Sequence, residues 1–484
     1  MAVAAVAETA LGLSTQRLLF AGQPILFCTN SSQLAMYARG YLPKASDAIA
    51  PATPVSATIT VHVRESDELC ESAPYFRARG NFAFARFTLA DSFWFNLRTR
   101  EVFGTCSPEL ANDRRRWLAH IFPALLGILS ASIGVAPVHA ACLVRDGRGV
   151  LLAGRSGTGK STLTIAMARR GYELLSDDWS YLSVTEDGVD VGAVQAWGLP
   201  VPVKLLPDAS SFFPELREFQ VDVSLNGEIA YEVFPEECFG VGRSRRCPVT
   251  NVVLLERGTE PGCAMHSISP NEAMNHLQAE VEPLEGELAR CYRRQLDLIR
   301  RTVDGASCHR FFFNDHPDKA AQALDEALAG VSSMMDPRET STAPTDMMHR
   351  RTPLTFRGRF LWLGTSLTIQ TDSQSILRAA ETAGLLPQDD CERESQMRWE
   401  IATEPPCETP ANNWACKVTV DNHSLFLSMG SRQWFAFDFK SGDGAGFVAW
   451  DAAASCDPNA LKYVLEIVCH IGNCLQAKVE RSRW

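Results

Sequence analysis

The chain has 484 residues, of which 46% are apolar and 21% are charged, and its net charge at neutral pH is −11. This length suggests two or three domains, and the composition is that of an ordinary soluble globular protein. The negative net charge argues against a general nucleic-acid-binding protein, because such a protein needs a basic face.

The chain offers no clear targeting or membrane signal. Met1 to Gly12 is apolar but contains Glu8 and lacks a basic region, which makes it a poor signal peptide. The uncharged stretch from Trp117 to Val144 contains Pro123 and Pro137, and a buried helix followed by a strand is favoured over a membrane span. The 15 cysteines form no C-x-x-C pair, which is typical of free thiols in a reducing compartment. We therefore expect a cytoplasmic protein that does not act at a membrane.

Segments near the two ends of the chain share an order of elements. Pro24 to Pro43 and Ser366 to Pro387 each predict a strand, a Thr-Asn/Asp-Ser helix cap and an amphipathic helix closed by glycine. Ser92 to Gly104 and Gln433 to Phe447 each predict an aromatic-rich hairpin. Each copy is expected to end in a long helix, Ala111 to Ser132 in one and Pro458 to Gln476 in the other. Any two small α+β domains share some of these strands, helix caps and turns, but the matching order of the elements favours a duplication.

These patterns divide the chain into four parts. Residues 1–134 form an α+β accessory domain, residues 135–330 alternate strands with helices, and residues 354–484 form the second accessory domain. Residues 331–353 contain three prolines and no hydrophobic period, so they predict a linker. The expected fold is an α/β core flanked by two similar α+β domains. Whether these domains pack on each other or share a substrate surface is left open.

The central part contains a complete G-x-x-x-x-G-K-S phosphate-loop (Walker A) motif that follows an apolar strand. Its glycines let backbone N–H groups point at phosphate oxygens, and the next helix adds its positive end. Lys160 is expected to reach the β- and γ-phosphates, and the Ser161 hydroxyl to hold Mg²⁺. ATP and Mg²⁺ are therefore the expected ligands. The predicted nucleotide-binding residues are Gly154, Arg155, Ser156, Gly157, Thr158, Gly159, Lys160, Ser161 and Thr162.

A pair of carboxylates, Asp177 and Asp178, ends the strand after the loop helix. On the other side of the loop, a turn at Asp146-Gly147 returns the strand VHAACLV, which carries His139, to the loop strand. This hairpin is expected to bring His139 beside Asp178, where it would hold or tune a base for a hydroxyl nucleophile. A lone histidine on a strand is ordinarily a packed or surface residue, but this position favours a functional role.

These residues resemble the catalytic domain of HPr kinase/phosphorylase. The family pattern is a histidine-bearing strand, a turn, a phosphate loop, a helix ending in Arg-Gly, and a strand ending in Asp-Asp. The resemblance implies an α/β P-loop kinase core of the HPr kinase C-terminal-domain type. It also implies that Asp178 takes the proton from an acceptor hydroxyl, assisted by His139, while Lys160 holds phosphate. Ser161 and Asp177 would then be the Mg²⁺ ligands.

Two parts of the family pattern lack a counterpart. The Glu-x-Arg-Gly segment that contributes a metal ligand is replaced by Ala196 to Asp208, in which Lys204 is the one cation. The metal shell would then depend more on Asp177, and Lys204 becomes a candidate contact to nucleotide or substrate. The family's downstream catalytic arginine has three candidates that read equally well as surface cations, namely Arg245, Arg246 and Arg257.

The sequence therefore predicts an ATP-dependent kinase that acts on a serine-type hydroxyl of a peptide or protein. Related kinases act on free serine or on precursor peptides of natural-product pathways, so free serine is an alternative acceptor. The flanking domains do not resemble the N-terminal domain of HPr kinase, so HPr itself is not expected as the substrate. A second alternative is a nucleotide-responsive binding module with little catalysis. A phosphoenolpyruvate carboxykinase-like enzyme is disfavoured, and a homo-oligomer like that of the family is left open.

Two further clusters favour a plain structural interpretation. Cys469, His470 and Cys474 lie in an apolar helical stretch without a second pair of ligands, which favours buried thiols over a metal site. The segment from Ser267 to Thr302 predicts helices packed on the core. Its basic end, Arg290 to Arg301, is more typical of a solvated helix face than of a phosphate site.

Overall fold

The protein is described by a computed structural model. The described residues are 13–45, 54–65, 75–88, 90–184, 192–224, 227–284, 286–330, 353–362, 365–388, 395–404, 416–421, 424–429 and 433–449. The predicted linker, apart from Pro353, lies outside them, as do Met1 to Gly12 and the predicted helix from Pro458 to Gln476, which contains Cys469, His470 and Cys474.

The chain divides into two compact units, each built from two stretches of sequence. The first unit joins Met1–Leu69 to Thr99–Thr345, and the second joins Cys70–Arg98 to Asp346–Trp484. The N-terminal accessory region of the sequence therefore contributes to both units. The predicted division into four parts stays a prediction.

The described strands are, in chain order, β1 (Ser14–Phe20), β2 (Gln23–Thr29), β3 (Ala57–Val63), β4 (Tyr75–Arg79), β5 (Phe82–Arg86), β6 (Ser92–Asn96), β7 (Glu101–Cys106), β8 (Ala136–Val138), β9 (Ala140–Arg145), β10 (Arg148–Ala153), β11 (Glu173–Ser176), β12 (Ser180–Val184), β13 (Val194–Trp197), β14 (Val203–Leu205), β15 (Asp222–Val223), β16 (Ile229–Val233), β17 (Arg246–Arg257), β18 (Cys263–Ser267), β19 (Ser307–Phe313), β20 (Phe356–Trp362), β21 (Thr365–Thr371), β22 (Leu386–Pro387), β23 (Met397–Glu404), β24 (Cys416–Asp421), β25 (Ser424–Met429), β26 (Gln433–Asp438) and β27 (Asp443–Ala449). The described α-helices are α1 (Ser32–Tyr41), α2 (Pro108–Asn112), α3 (Arg114–Ile133, with a π turn), α4 (Lys160–Ala168), α5 (Pro235–Phe239), α6 (Pro270–Gln278), α7 (Ala289–Asp304), α8 (Pro317–Gly330) and α9 (Gln374–Thr382). Short 3₁₀ turns occupy Pro207–Ser211, Pro214–Glu218 and Gly286–Leu288.

The central sheet of the first unit has the order β11-β9-β10-β17-β13-β12-β8, and β19 and β18 extend it beside β17. β10 and β19 both run parallel to β17, whereas β9 pairs antiparallel with β10 through a tight turn. The turn residues Asp146 and Gly147 both have positive φ, at 52° and 72°. Positive φ at two successive positions is typical of a two-residue hairpin turn. The sheet is thus mixed, and β17 lies between its two parallel neighbours, β10 and β19.

Helices cover both faces of this sheet. Val150 and Leu152 of β10 pack in a core with α4 and α8, whereas Leu151 and Ala153 pack in another with α6 and α7. Successive residues of a strand face opposite sides, so a strand between two helical layers must be apolar at every position. Fully burying one such Leu or Val contributes about 1.5–3 kcal/mol. This explains the unbroken VLLA run before the loop.

The second unit contains an eight-stranded sheet in the order β22-β20-β21-β23-β27-β26-β25-β24. In this sheet β20 is antiparallel to β21, and β21, β23 and β27 are parallel neighbours. In the first unit β1 is likewise antiparallel to β2, and β2, β3 and β7 are parallel neighbours. Strands β4 to β6 form an antiparallel meander, as β24 to β26 do. The two predicted copies therefore share one pattern of strand pairing.

Corresponding residues of the two copies meet inside the second unit. Asn96 ends β6 and Asp438 ends β26, each just before a hairpin turn. Nδ2 of Asn96 donates to Oδ2 of Asp438 at 3.2 Å, and the two residues are only 1% and 2% exposed. Beside them Trp94 stacks on Phe426, with 5.1 Å between ring centroids. Strand β6 thus packs on the sheet of the second copy.

Among the described residues, one helix is long and apolar enough to cross a membrane by length and composition alone, namely α3. The buried core helix of a globular protein passes the same test, and Trp117, Leu125 and Leu129 of α3 are completely buried. The sequence predicted one helix from Ala111 to Ser132. The helix is instead interrupted at Asp113, which separates α2 from α3. The Asp113 side chain caps the start of α3 by accepting from the Arg116 N–H.

Candidate functional site

The predicted loop, the aspartate pair and His139 meet at one edge of the central sheet. β9 runs antiparallel to both of its neighbours, β10 and β11, and Ala140 lies opposite Ala153. The start of β9 therefore lies beside the ends of β10 and β11. His139 directly precedes β9, in a one-residue break after β8 rather than within a continuous strand. The loop follows β10 and Asp177 follows β11, so the sheet register gathers all three.

The glycine-rich loop from Gly154 to Gly159 has a backbone that requires several of its glycines. Gly157 and Gly159 have φ values of 80° and 94°, a region that residues with side chains rarely adopt. A Cβ on Gly154 would lie 3.1 Å from the Cβ of Leu255 in β17, so the loop strand and β17 approach closely there. The residues predicted to contact phosphate thus occupy the loop and the first turn of α4, where helix amides offer a positive end.

Two side chains, those of His139 and Lys160, contact the Asp178 carboxylate at this edge. Nε2 of His139 lies 2.8 Å from Oδ1 of Asp178, and Nζ of Lys160 lies 3.4 Å from the same oxygen. Partial desolvation raises the pKa of Asp178, but the hydrogen bond from His139 and the charge of Lys160 outweigh it and hold the pKa below its ordinary value. The carboxylate is therefore ionised at neutral pH and exposed enough to meet a substrate, since its side chain is 60% exposed.

Asp177 has the opposite environment to its neighbour. It is 3% exposed, and its Oδ1 has no hydrogen-bond partner among the described residues. Burial, and then the charge of Asp178, raise its pKa to about 7, although Lys160, the Ser161 hydroxyl and a backbone hydrogen bond from Lys204 oppose the rise. A buried carboxylate oxygen without a partner is costly unless a cation or a proton compensates it. The oxygen donors of Asp177 and Ser161 therefore fit a hard cation such as Mg²⁺.

Two residues of this edge escaped the sequence analysis. The indole of Trp179 stacks on the His139 ring with centroids 5.2 Å apart, and Oε2 of Glu280 lies 3.9 Å from Nδ1 of His139. Trp179 is 37% exposed, and the signal in the sequence was a Trp directly after an Asp-Asp pair. Glu280, after α6, is far along the chain and carried no such signal. His139 thus lies between two carboxylates under an aromatic ring.

The other predicted cations fall in different places. The Lys204 side chain pairs with Glu228, and it is the Lys204 backbone that reaches Asp177. Arg246 lies over the Trp197 ring, 5.4 Å from its centroid, at the end of β17 remote from the loop. Arg257 lies at the opposite end of β17, against Gly159 of the loop.

Comparisons with known proteins give a limited result. No protein-family model matches the chain, and no curated protein matches it. Among solved structures, part of the chain is similar to the Hpr(Ser) kinase/phosphatase from Coxiella burnetii, with 17% sequence identity, coverage of 40% of this chain and 89% of that chain, and a TM-score of 0.21. This is a weak structural likeness to a kinase.

Proposed function

We propose that the protein is an ATP-dependent kinase that transfers the γ-phosphate of ATP to a serine-type hydroxyl. The observation that carries this proposal is the position of Asp178. An ionised, accessible carboxylate lies 3.4 Å from the ammonium of a phosphate-loop lysine and is held by a histidine at 2.8 Å. A nucleotide-binding module has no evident use for such a base beside the terminal phosphate.

The donor half of the reaction follows from the loop. Backbone amides of the loop and the start of α4 would hold the phosphates, and Lys160 would turn from Asp178 towards the β- and γ-phosphates. Ser161 and Asp177 would hold Mg²⁺, which neutralises charge on the transferring phosphoryl group. Burial of Lys160, which is 8% exposed, keeps its ammonium close to the loop.

The acceptor half uses Asp178 and His139. The hydroxyl oxygen attacks the γ-phosphorus, the bond from that phosphorus to the bridging oxygen of ADP breaks, and the hydroxyl proton passes to Asp178. His139 orients the carboxylate through its Nε2, and Glu280 and Trp179 restrain the imidazole. The role of the protein is mainly to align the two oxygens and stabilise charge.

A peptide or protein is the acceptor that we favour within this proposal. The described residues form three sheets besides the central one, two of them with seven and eight strands, and transfer to a small molecule gives no reason for them. Free serine remains the alternative acceptor, and the proposed compartment is the cytoplasm.

The proposal is tested by incubating the purified protein with Mg²⁺ and ATP that carries a radioactive γ-phosphate. Free serine and a library of serine-containing peptides serve as acceptors, and the same peptides with serine replaced by alanine serve as controls. We expect label on serine-containing acceptors alone. Tight ATP binding with neither label transfer nor ATP hydrolysis would favour the nucleotide-responsive binding module instead.

A further inference from the structure

Arg257, the last residue of β17, lies against the glycine-rich loop. β17 runs parallel to β10, with Leu254 opposite Ala153, so both strands end at the edge where the loop begins. The guanidinium Nη2 of Arg257 lies 2.7 Å from the place that a Cβ would occupy on Gly159. Gly159 directly precedes Lys160, so a second cation lies beside the residue that leads into the loop lysine.

An aromatic ring supports this arginine. The guanidinium carbon of Arg257 lies 4.7 Å from the ring centroid of Phe313. Phe313 ends β19, pairs with Arg257 in the parallel register of β17 and β19, and is only 3% exposed. A buried ring under one face of the guanidinium restricts its orientation while leaving its N–H groups available.

Among the residues that the structure describes, no carboxylate forms an ion pair with Arg257, whereas Arg310, on the neighbouring strand β19, pairs with both Glu256 and Glu272. Glu256 is therefore already engaged, although it is adjacent to Arg257 in the sequence. A supported arginine beside a loop of backbone amides is suited to an anion, and guanidinium groups bind phosphate oxygens in a forked geometry.

We propose that Arg257 binds an oxygen of the terminal phosphate of the nucleotide, as a second cation next to Lys160. This inference rests on the proposed function, because it assumes that the loop binds a nucleoside triphosphate. Arg257 would contribute to the affinity for ATP and stabilise the charge that spreads over the phosphoryl oxygens during transfer.

Arg257→Met tests this inference, because methionine keeps an unbranched apolar stem over Phe313 and removes the charge. The matched control is Arg246→Met, at the other end of β17, where an arginine also lies over an aromatic ring, that of Trp197. The dissociation constants of ATP and ADP are measured by calorimetry with Mg²⁺, together with the melting temperature. We expect Arg257→Met to weaken ATP binding by about tenfold or more and ADP binding by less. Arg246→Met should bind both nucleotides like the wild type.

Equal ATP affinity in Arg257→Met and the wild type, with an unchanged melting temperature, would overturn the inference, because the guanidinium would then contribute nothing to nucleotide binding. If Arg257→Met does not fold, Arg257→Gln replaces it, with the same expected loss of ATP affinity and the same contradicting result. Binding needs no acceptor, so failure of the proposed kinase reaction is seen separately, as absent phosphate transfer in the wild type. Lys160→Ala, in the same titration, reports whether the loop binds the nucleotide at all.

Discussion

His139 and Asp178 are 39 residues apart in the chain and lie 2.8 Å apart, Nε2 to Oδ1, at the edge of the central sheet. The contact follows from the antiparallel pairing of β9 with β11, which brings the start of one strand to the end of the other. The hydrogen bond favours the ionised carboxylate and fixes its orientation.

Replacing His139 by glutamine should slow phosphate transfer and shift its pH dependence. The hydrogen bond from His139 and the charge of Lys160 hold the pKa of Asp178 below its ordinary value, against partial desolvation. Removing the histidine raises that pKa, so Asp178 takes up a proton at a higher pH and activity is lost earlier as the pH falls. We expect kcat/KM to fall by roughly 10- to 100-fold. The acidic limb of its pH profile should move to higher pH. His266→Gln, outside the site, is the control, and an unshifted limb in His139→Gln would contradict the prediction.

Asp177→Asn should stabilise the metal-free protein, and more so at higher pH. Burial and the neighbouring charge of Asp178 raise the pKa of Asp177 from 3.8 to about 7 in the folded state. Since the folded protein then holds a proton that the unfolded chain releases, this group makes wild-type stability fall as the pH rises from about 4 to about 7. We expect urea denaturation without Mg²⁺ to show a gain of a few kcal/mol for the variant at about pH 8, and little gain at about pH 4.

The wild type and Asp177→Asn should differ in their free energy of unfolding much more at the higher pH than at the lower one. The same difference at both pH values would contradict the raised pKa of Asp177. The same variant also tests whether Asp177 binds Mg²⁺. Mg²⁺ should stabilise the wild type in the presence of ATP and stabilise Asp177→Asn much less.

Gly198→Ala should disturb β11, the strand that leads into the aspartate pair. A Cβ at position 198 would lie 1.8 Å from the backbone oxygen of Leu175 in β11, so the backbone itself has to move. We expect a loss of about 1–3 kcal/mol in the free energy of unfolding, with lower transfer activity, because Asp177 and Asp178 follow β11 directly. Gly40→Ala, in α1 and with nothing within 4 Å of the added Cβ, is the control and should be neutral or slightly stabilising. Equal melting temperatures for Gly198→Ala and Gly40→Ala would contradict the close approach between Gly198 and the backbone oxygen of Leu175.

Asn96→Asp should destabilise the second unit. Asn96 donates to Asp438 while both residues are buried, so the substitution would place two carboxylates together away from water. We expect a loss on the order of 3 kcal/mol at neutral pH. Asn275→Asp, on the exposed side of α6, is the matched change and should cost little. If Asn96→Asp were as stable as the wild type, this would contradict the packing of β6 on the eight-stranded sheet of the second unit.

The sequence was most informative where structure is local. The strand before Gly154, the turn at Asp146-Gly147 and the strand leading to Asp177 all occur where their patterns predicted them, because each depends on neighbouring residues. The proximity of His139 to Asp178 also followed from spacing, since a hairpin and one further strand leave few arrangements.

The remaining features depend on contacts between distant segments. Glu280 approaches His139 from the loop after α6, and Arg257 reaches Gly159 because β17 lies parallel to β10. No local pattern encodes that pairing. The backbone hydrogen bond from Lys204 of β14 to Asp177 also joins distant segments, and the sequence suggested Lys204 only as a side-chain contact. The grouping of Cys70–Arg98 with the C-terminal unit also has no signal in the linear order.

The measurement that tests the central claim most directly compares wild type with Asp178→Asn in two assays on the same samples. One assay measures ATP affinity by calorimetry, and the other measures transfer of labelled γ-phosphate to acceptor and to water. Asp208→Asn, on an exposed 3₁₀ turn, controls for loss of a carboxylate. We predict that Asp178→Asn binds ATP at least as tightly as the wild type, because Lys160 is released from its ion pair, yet transfers phosphate about 10²- to 10⁴-fold more slowly. Transfer at the wild-type rate by Asp178→Asn would contradict the assignment of Asp178 as the base and with it the proposed mechanism.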